Sequence, residues 1–203
     1  MESVNLKDFG VIVRMIFLGK GCLRFFLFVI LMLVIIFVGL KNINWIFETI
    51  YPIHYADLVK KYAEEYDVDP YLIVSIMKNE SKFDPKAVSK KDAKGLMQIA
   101  PITGQWASEK LNIANYSEDM LFDPELNIRI GTWYLNVLKN EFGDNLEVII
   151  AGYNAGNGNV KKWLNNPEYS ADGKTLNHIP FSETRIYQKK VLRDYKIYKK
   201  IYQ

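Results

Sequence analysis

Hydrophobic residues divide the 203-residue chain into two parts of different character. Residues 25–40 form one uninterrupted uncharged run, whereas apolar residues after Tyr51 recur at the three- and four-residue intervals that are typical of amphipathic helices. No stretch shows the alternation of polar and apolar residues that a half-buried strand would require. The sequence therefore predicts a mainly α-helical domain that follows a single apolar segment.

The apolar run, together with its flanks, is long enough for one transmembrane helix. A spanning helix needs about 20 residues, and Arg24 and Lys41 have side chains long enough to reach the two interfaces. Four Lys or Arg residues precede the run and one follows it closely, which predicts a cytoplasmic N-terminus and an extracytoplasmic domain. We expect a short cytoplasmic segment at 1–22, a transmembrane anchor at 23–41, a linker at 42–54 and a globular domain at 55–203.

Three other interpretations of the N-terminal segment fit the sequence less well than an anchor. A buried core helix is disfavoured because so apolar and aromatic a run stands at the N-terminus. A cleaved signal peptide needs small residues at a cleavage site after the run, and residues 38–40 provide a poor one. A lipoprotein site at Cys22 is disfavoured because the long apolar run follows this cysteine, and because Gly19 stands where a leucine is expected. The shorter apolar patch at 11–18 fits either a helix on the inner membrane surface or an irregular lead-in.

Capping signals predict where the helices of the domain begin and end. Asp69-Pro70 and Asp123-Pro124 each combine an N-cap aspartate with a proline at the first helical position. The first of these helices has an apolar stripe and ends near Glu80, and Gly143 is placed to end the second. Further helices are predicted at 55–66, 101–110, 146–153 and from Ser182 to the end, with a turn at 156–159 that leads into another helix, and a surface loop at 165–180.

Composition and charge argue against several kinds of site. The two histidines, His54 and His178, are too far apart for a common zinc motif, and no Gly-x-Ser-x-Gly sequence marks a serine hydrolase. We therefore expect no metal and no cofactor. Residues 51–184 carry a net charge of −5 and residues 185–203 one of +6. The basic C-terminal helix is interpreted as a solvated or lipid-facing surface, because nucleic-acid binding fits poorly with an extracytoplasmic location.

Glu80 is the candidate acid of the chain. A carboxylate at the end of a helix meets the negative pole of the helix dipole, and an apolar pocket would add a desolvation cost. Both effects raise the pKa of a glutamate toward the range of a general acid at neutral pH, which suits protonation of a leaving oxygen on a sugar. The alternative is a solvated glutamate, since this residue type is rarely buried.

Two further segments offer groups that suit a sugar. In Gly95-Leu96-Met97-Gln98, the amide of Gln98 has a donor and an acceptor. In Tyr153-Asn154-Ala155-Gly156, an aromatic face and a second amide follow an apolar helix. Each segment also has a purely structural interpretation: a tight turn with buried Leu and Met in the first, and a core tyrosine with a capping asparagine in the second.

Taken together, these segments resemble the soluble lytic transglycosylase family of peptidoglycan-cleaving enzymes, which has a goose-type-lysozyme-like fold. The resemblance covers residues 55–195 and rests on separated motifs in the same order. The motifs are Glu80-Ser81-x-Phe83-x-Pro85-x-Ala87-Val88-Ser89, Gly95-Leu96-Met97-Gln98-Ile99-x-Pro101-x-Thr103, Asn127-Ile128 with Gly131 and Tyr134-Leu135, Tyr153-Asn154-Ala155-Gly156 with Val160, and Ile179-Pro180 followed by Glu183-Thr184 and Tyr187.

The resemblance implies that Glu80 is the sole catalytic carboxyl group. It would protonate the glycosidic oxygen between N-acetylmuramic acid and N-acetylglucosamine, and then accept a proton from the muramic C6 hydroxyl. That hydroxyl closes onto C1 and gives a 1,6-anhydro product without water. The substrate-binding residues implied by the resemblance are Ser89, Gln98, Tyr153, Asn154, Glu183 and Tyr187. Gly152 departs from the family's usual alanine, and Ala100 stands where some relatives have a larger methionine, a change that would loosen one subsite.

A single acid is consistent with this chemistry. Glycoside hydrolysis ordinarily calls for two facing carboxylates, and the motifs mark only one, although Glu183 could approach it in space. A tethered nucleophile replaces the second carboxylate and gains an effective molarity of up to about 10⁵ M or more. We therefore expect a membrane-anchored lytic transglycosylase whose partners are peptidoglycan glycan strands and, through residues 23–41, the lipid bilayer.

Three other functions are compatible with the same residues. The first is a lysozyme-like muramidase that uses the same acid and a water nucleophile. The second is a non-catalytic wall-binding or scaffold module that keeps the fold. The third is an accessory enzyme that opens a local gap in the wall for a secretion or conjugation apparatus.

Overall fold

The computed structural model describes the chain from Leu6 to Gln203, without the side chains of residues 6–20, Cys22 and Asn44. The chain divides into two compact units, Met1–Pro52 and Ile53–Gln203. The apolar patch predicted at 11–18 and the thiol of Cys22 lie outside the described side chains, and the first five residues of the expected cytoplasmic segment lie outside the described residues.

The described residues of the first unit, 6–52, form two helices, α1 (Leu6–Lys41) and α2 (Ile43–Ile50). Within α1, the stretch Leu23–Lys41 is long and apolar enough to cross a membrane, and its side chains are exposed rather than packed in a protein core. The stretch expected to be a linker, 42–54, contains α2 and is therefore largely helical.

The second unit is built from α-helices with short connections. The helices are α3 (Ala56–Tyr66), α4 (Pro70–Glu80), α5 (Pro101–Lys110), α6 (Pro124–Phe142), α7 (Leu146–Ala155), α8 (Asn157–Leu164) and α9 (Ser182–Tyr202), with a 3₁₀ helix at Glu118–Phe122. Across the described residues 6–203 there is no strand, and only isolated bridges join Val88 to Lys94 and Lys94 to Ile99. The predicted helical class is confirmed.

The capping residues found in the sequence act as expected. Asp69 accepts a hydrogen bond from the N–H of Tyr71 at 2.9 Å, and Asp123 accepts one from Leu126 at 2.8 Å. Each aspartate thereby satisfies a backbone donor that has no partner within its helix. Gly143 ends α6 with a φ of +74°. Local signals therefore fix both ends of α6 and the start of α4.

The local predictions near α8 and α9 are partly wrong. Only Gly156, with a φ of +84°, lies outside the helices in the turn predicted at 156–159, and α8 begins at Asn157. Asn159 donates to the carbonyl of Ala155 at 2.8 Å, so this asparagine stabilises the junction of α7 and α8 rather than a loop. Ser182 is the first residue of α9 and does not cap it; Phe181 occupies the N-cap position without a side-chain hydrogen bond.

Helix α7 lies at the centre of the second unit and packs against α6, α8 and α9. Its residues 148–152 are all buried, in agreement with the almost entirely apolar sequence of this helix. Helix α9 packs against both α4 and α7. The beginning of α9 therefore lies beside the C-terminal ends of α4 and α7, where the candidate acid and the Tyr-Asn pair are located.

Candidate active site

A cleft of about 590 Å³ brings together side chains that are far apart in the sequence. Six of the seven predicted site residues line it: Glu80, Ser89, Gln98, Tyr153, Asn154 and Glu183. The seventh, Tyr187, is not part of the cleft wall, but its hydroxyl is buried beside Glu80. The fold thus gathers the predicted residues at one place.

The carboxyl group of Glu80 is mostly protonated below neutral pH and mostly ionised above it. Burial raises its pKa from 4.5 to about 7, and the negative charge of Glu183 adds to this rise. A hydrogen bond from Tyr187 acts in the opposite direction because it favours the charged carboxylate. A group with this pKa can donate a proton and take one back at neutral pH, as a general acid–base catalyst must.

The hydroxyl group of Tyr187 is buried and forms no hydrogen bond of standard geometry with the described residues. It nevertheless lies near enough to Glu80 to lower the pKa of that carboxyl as a donor. Burial and the charge of Glu80 raise the pKa of Tyr187 well above its usual value, so Tyr187 remains a neutral donor.

Tyr153 connects α7 to the Gly-Leu-Met-Gln turn. Its hydroxyl donates to the backbone carbonyl of Met97 at 2.9 Å, and its ring lies 5.6 Å from that of Tyr134. Burial raises the pKa of Tyr153 well above its usual value, which keeps the hydroxyl protonated and able to donate. Tyr153 therefore holds the floor of the cleft in place, in addition to presenting an aromatic surface.

The Gly-Leu-Met-Gln turn requires glycine at its first position. Gly95 has a φ of +75°, and a Cβ atom added there would lie 2.3 Å from both the Asn127 amide nitrogen and the Leu121 carbonyl oxygen. The buried side chain of Asn127 donates to the carbonyls of Lys94 and Leu121 and accepts from the N–H of Met97, at 2.9, 2.7 and 2.8 Å. Asn127 therefore clamps the turn from within the core.

Ser81 attaches this turn to the end of α4, and Gln98 attaches it to the loop that precedes it in the sequence. The hydroxyl of Ser81, the residue after Glu80, donates to the carbonyl of Leu96 at 2.8 Å. The amide nitrogen of Gln98 donates to the carbonyls of Ala87 and Gly95 at 3.1 and 2.9 Å. Since these bonds use both amide hydrogens, the group that Gln98 retains for a ligand is its acceptor oxygen.

Ser89, Asn154 and Glu183 occupy different positions around the cleft. The hydroxyl of Ser89 accepts from the N–H groups of Lys91 and Ala93 at 3.1 and 3.0 Å, so it stabilises its own loop. The amide oxygen of Asn154 accepts from the hydroxyl of Thr184 in α9 at 2.7 Å. Glu183 lies exposed at the rim.

Several cleft residues were not predicted as site residues. Thr103 and Tyr134 line the wall, and both stand within the motifs that carry the family resemblance. Lys90 and Lys91 line the rim, and nothing in the sequence signals this, because their position depends on the path of the loop. Within the part of the chain that the structure describes, no group of His, Cys, Asp and Glu is arranged to hold a metal ion.

The helical fold and the cleft define a class of protein: an all-α domain whose cleft holds one largely buried, protonatable carboxyl group among amide and hydroxyl groups. The family model for the transglycosylase SLT domain matches residues 57–176, and the chain belongs to this family. The predicted family and the lysozyme-like helical fold are thereby confirmed.

Relatives of known activity agree with this assignment. The soluble lytic murein transglycosylase of Escherichia coli K12 is 41% identical over 147 residues, which span 71% of this chain and 23% of the relative. The membrane-bound lytic murein transglycosylase C of Pectobacterium atrosepticum is 36% identical over 142 residues, which span 62% of this chain and 38% of that protein. The chain therefore matches less than half the length of either relative.

Solved structures show the same fold. The 70 kDa soluble lytic transglycosylase from Escherichia coli superimposes with a TM-score of 0.67 at 37% identity, over 76% of this chain and 25% of that protein. A complex of the 70-kDa soluble lytic transglycosylase with bulgecin A gives a TM-score of 0.68 at 37% identity and the same coverage of this chain. An inactive Glu-to-Gln mutant of the lytic transglycosylase from Pseudomonas aeruginosa gives 0.66 at 30% identity over 76% of this chain.

Proposed function

We propose that the chain is a membrane-anchored lytic transglycosylase that cleaves the β-1,4 bond between N-acetylmuramic acid and N-acetylglucosamine in peptidoglycan. The product would be 1,6-anhydro-N-acetylmuramic acid, and the role would be cell-wall remodelling. The observation that carries the proposal is the position of Glu80, a partly buried carboxyl group with a pKa of about 7 in a cleft lined with amide and hydroxyl groups.

Glu80 would act twice in each turnover. In its protonated form it would donate its proton to the glycosidic oxygen while the bond from that oxygen to C1 of the muramic sugar breaks. The resulting carboxylate would then take the proton of the C6 hydroxyl as the C6 oxygen bonds to C1. The proton that Glu80 gives to the leaving oxygen is replaced by the proton of the C6 hydroxyl. The second step therefore restores the protonated acid, and no water is consumed. A pKa near neutrality serves both steps.

The surrounding residues are proposed to hold the acid and the sugar. Tyr187 would stabilise the carboxylate after the first proton transfer, since its hydroxyl is a buried donor beside Glu80. Asn154 and Gln98 would bind polar substituents of the sugars, and Tyr153 would shape the cleft floor. Ser89 and Glu183 would act at the rim, the former by holding its loop in place.

The names of the relatives support this proposal. Lytic murein transglycosylases, one of them membrane-bound, share this domain. A lytic transglycosylase inactivated by a Glu-to-Gln change shares the fold. For the location, we propose that residues 23–41 anchor the chain, with 1–22 in the cytoplasm and the catalytic domain, 55–203, outside it; the apolar stretch Leu23–Lys41 and the distribution of Lys and Arg support this topology.

A hydrolytic muramidase is the second candidate. Glu183 also lines the cleft, so a second carboxylate is available that would orient a water molecule. The two reactions give different products, because hydrolysis leaves a reducing end that is one water heavier than the anhydro end.

Mass spectrometry of the fragments released from purified peptidoglycan tests the proposal. The full-length chain in detergent would be compared with Glu80→Gln and with Glu64→Gln, in which an exposed glutamate of α3 is changed. We expect anhydro fragments from the wild type and from Glu64→Gln, and none from Glu80→Gln. Reducing ends in place of anhydro ends would establish the hydrolase, and release of no fragments by the wild type would support a binding module.

A further inference from the structure

We propose that Lys90 and Lys91 form an anion-binding rim of the cleft that binds carboxylate groups of the peptides carried by muramic acid. The inference deepens the proposed function and rests on it, because it assumes that a peptidoglycan strand occupies the cleft. Both lysines line the cleft together with Glu80 and Glu183. Nothing in the acid–base chemistry of Glu80 requires them.

The loop that carries the two lysines is held by its own hydrogen bonds. The hydroxyl of Ser89 accepts from the backbone N–H groups of Lys91 and Ala93, and the N–H of Ser89 donates to the carbonyl of Ala93 at 2.9 Å. Lys94 fastens the end of the loop, since its largely buried ammonium contacts Asp92 at 2.9 Å and Glu118 at 2.7 Å. The backbone of the rim is therefore preorganised.

The ammonium groups of Lys90 and Lys91 are accessible to a ligand, in contrast to that of Lys94. The Nζ atom of Lys91 lies 3.6 Å from Glu183 Oε2, and the two side chains are 85% and 73% exposed. Such an exposed and widely spaced ion pair is weak, so Lys91 can exchange this partner for a ligand. Lys90 is exposed and forms no ion pair with the described residues.

The charge at the rim favours an anionic ligand. Glu80 and Glu183 are the carboxyl groups that line the cleft, and the first is largely neutral below pH 7 because its pKa is about 7. Two lysines then face one ionised carboxylate, which leaves a positive balance. The N-acetylated sugars of the glycan strand are neutral, so the group that satisfies this charge is a carboxylate of the attached peptide.

Binding to insoluble peptidoglycan tests the rim independently of catalysis. The full-length chain with Glu80→Gln in detergent would be sedimented with a wall preparation from which phosphate polymers have been removed. The same preparation with its carboxylates converted to amides would be the second ligand. The Lys90→Gln/Lys91→Gln pair of changes would be introduced into this background, with Lys110→Gln as the control, because Lys110 is an exposed lysine outside the cleft.

We expect the loss of both lysines to weaken binding to the native wall by about three- to tenfold, the effect of two exposed charge pairs. The same variant should bind the amidated wall as its parent does, and Lys90→Arg/Lys91→Arg should restore binding to the native wall. The proposal is overturned if amidation leaves the affinity of the parent unchanged, or if the glutamine variant loses affinity equally for both walls.

The binding experiment and the product analysis together show whether the rim proposal and the transglycosylase proposal fail separately. A preference for carboxylates, together with no anhydro product from the wild type, would retain the rim and refute the transglycosylase. Anhydro products without any effect of amidation would retain the enzyme and refute the rim. A third preparation, amidated but still carrying its phosphate polymers, tests phosphate as the ligand. If the parent binds this wall as tightly as the native wall, the lysines bind phosphate and the carboxylate assignment is overturned.

Discussion

Thr184 in α9 donates its hydroxyl hydrogen to the amide oxygen of Asn154 in α7, across 2.7 Å. Because the oxygen is engaged in this way, the amide nitrogen of Asn154 is the end of the side chain that remains for a ligand in the cleft. Thr184 is buried and does not line the cleft itself. A residue of the last helix thus sets the orientation of a site residue that belongs to another helix.

Removal of the Thr184 hydroxyl should therefore impair substrate binding and leave the acid intact. We expect Thr184→Val to lower kcat/KM on peptidoglycan by about tenfold, the cost of a lost hydrogen bond and a misoriented amide. The pH dependence of the reaction should not change. Thr184→Ser keeps the hydroxyl and should retain most of the activity. A larger loss in the serine variant than in the valine variant would show that packing of the methyl group, rather than the hydrogen bond, is what matters.

Tyr187 and Glu183 should shift the pH profile in opposite directions. The Tyr187 hydroxyl lowers the pKa of Glu80 and the charge of Glu183 raises it. Since the first step needs protonated Glu80, activity falls as the pH rises through this pKa. The alkaline limb of kcat/KM against pH should move to higher pH in Tyr187→Phe and to lower pH in Glu183→Gln. If the alkaline limb stays at the same pH in both variants, the group that titrates there is not Glu80.

The burial of Glu80 should also destabilise the fold at high pH. The pKa of Glu80 is raised in the folded state, so the penalty is absent below the unfolded pKa near 4.5, grows as the pH rises from there, and is complete above the folded pKa of about 7. We expect Glu80→Gln to be more stable than the wild type at pH 8, by up to about 3 kcal/mol. At pH 4 the two should unfold at similar temperatures. Thermal unfolding of the full-length chain at both pH values measures the difference, and Glu64→Gln should show none.

Much of the framework follows from local sequence signals, for physical reasons that are visible at particular residues. Asp69 and Asp123 cap their helices because a short acidic side chain before proline can bond the first free N–H groups. The elevated pKa of Glu80 also agrees with the expectation, and burial is its largest cause. The caps depend on residues that are close in the sequence, whereas the burial of Glu80 also depends on the cleft that residues of α7 and α9 help to form.

Other features depend on contacts that no local pattern reveals. The sequence suggested that Gln98 offers a donor, but the carbonyls of Ala87 and Gly95 use its hydrogens. The predicted role of Ser89 in substrate binding stays a prediction: its hydroxyl oxygen accepts from two N–H groups of its own loop, so the group that it could offer a ligand is its O–H donor. In both cases the backbone competes with the ligand for a polar side chain, and the outcome is set by the loop path.

The glycine of the Gly-Leu-Met-Gln turn gives a test that separates crowding from backbone strain. Gly95 and Gly143 have nearly the same φ, +75° and +74°. A Cβ atom at Gly95 would lie 2.3 Å from both Asn127 and Leu121, whereas one at Gly143 would meet nothing within 4 Å. Gly143 has a ψ of −164°, a backbone region that is essentially confined to glycine, so alanine there should cost only this backbone strain, about 1–3 kcal/mol.

Alanine at Gly95 should cost more, because it adds a clash with a backbone carbonyl and displaces the Asn127 clamp. We expect a loss of about 4 kcal/mol or more in the free energy of unfolding. Activity should fall at temperatures where the protein is still folded, since Met97 accepts the hydrogen bond of Tyr153 on the cleft floor. Denaturant unfolding of both variants, with activity measured on the folded fraction, makes the comparison. Equal destabilisation by the two changes would mean that the turn relaxes away from Asn127, and the clamp would then not hold the site.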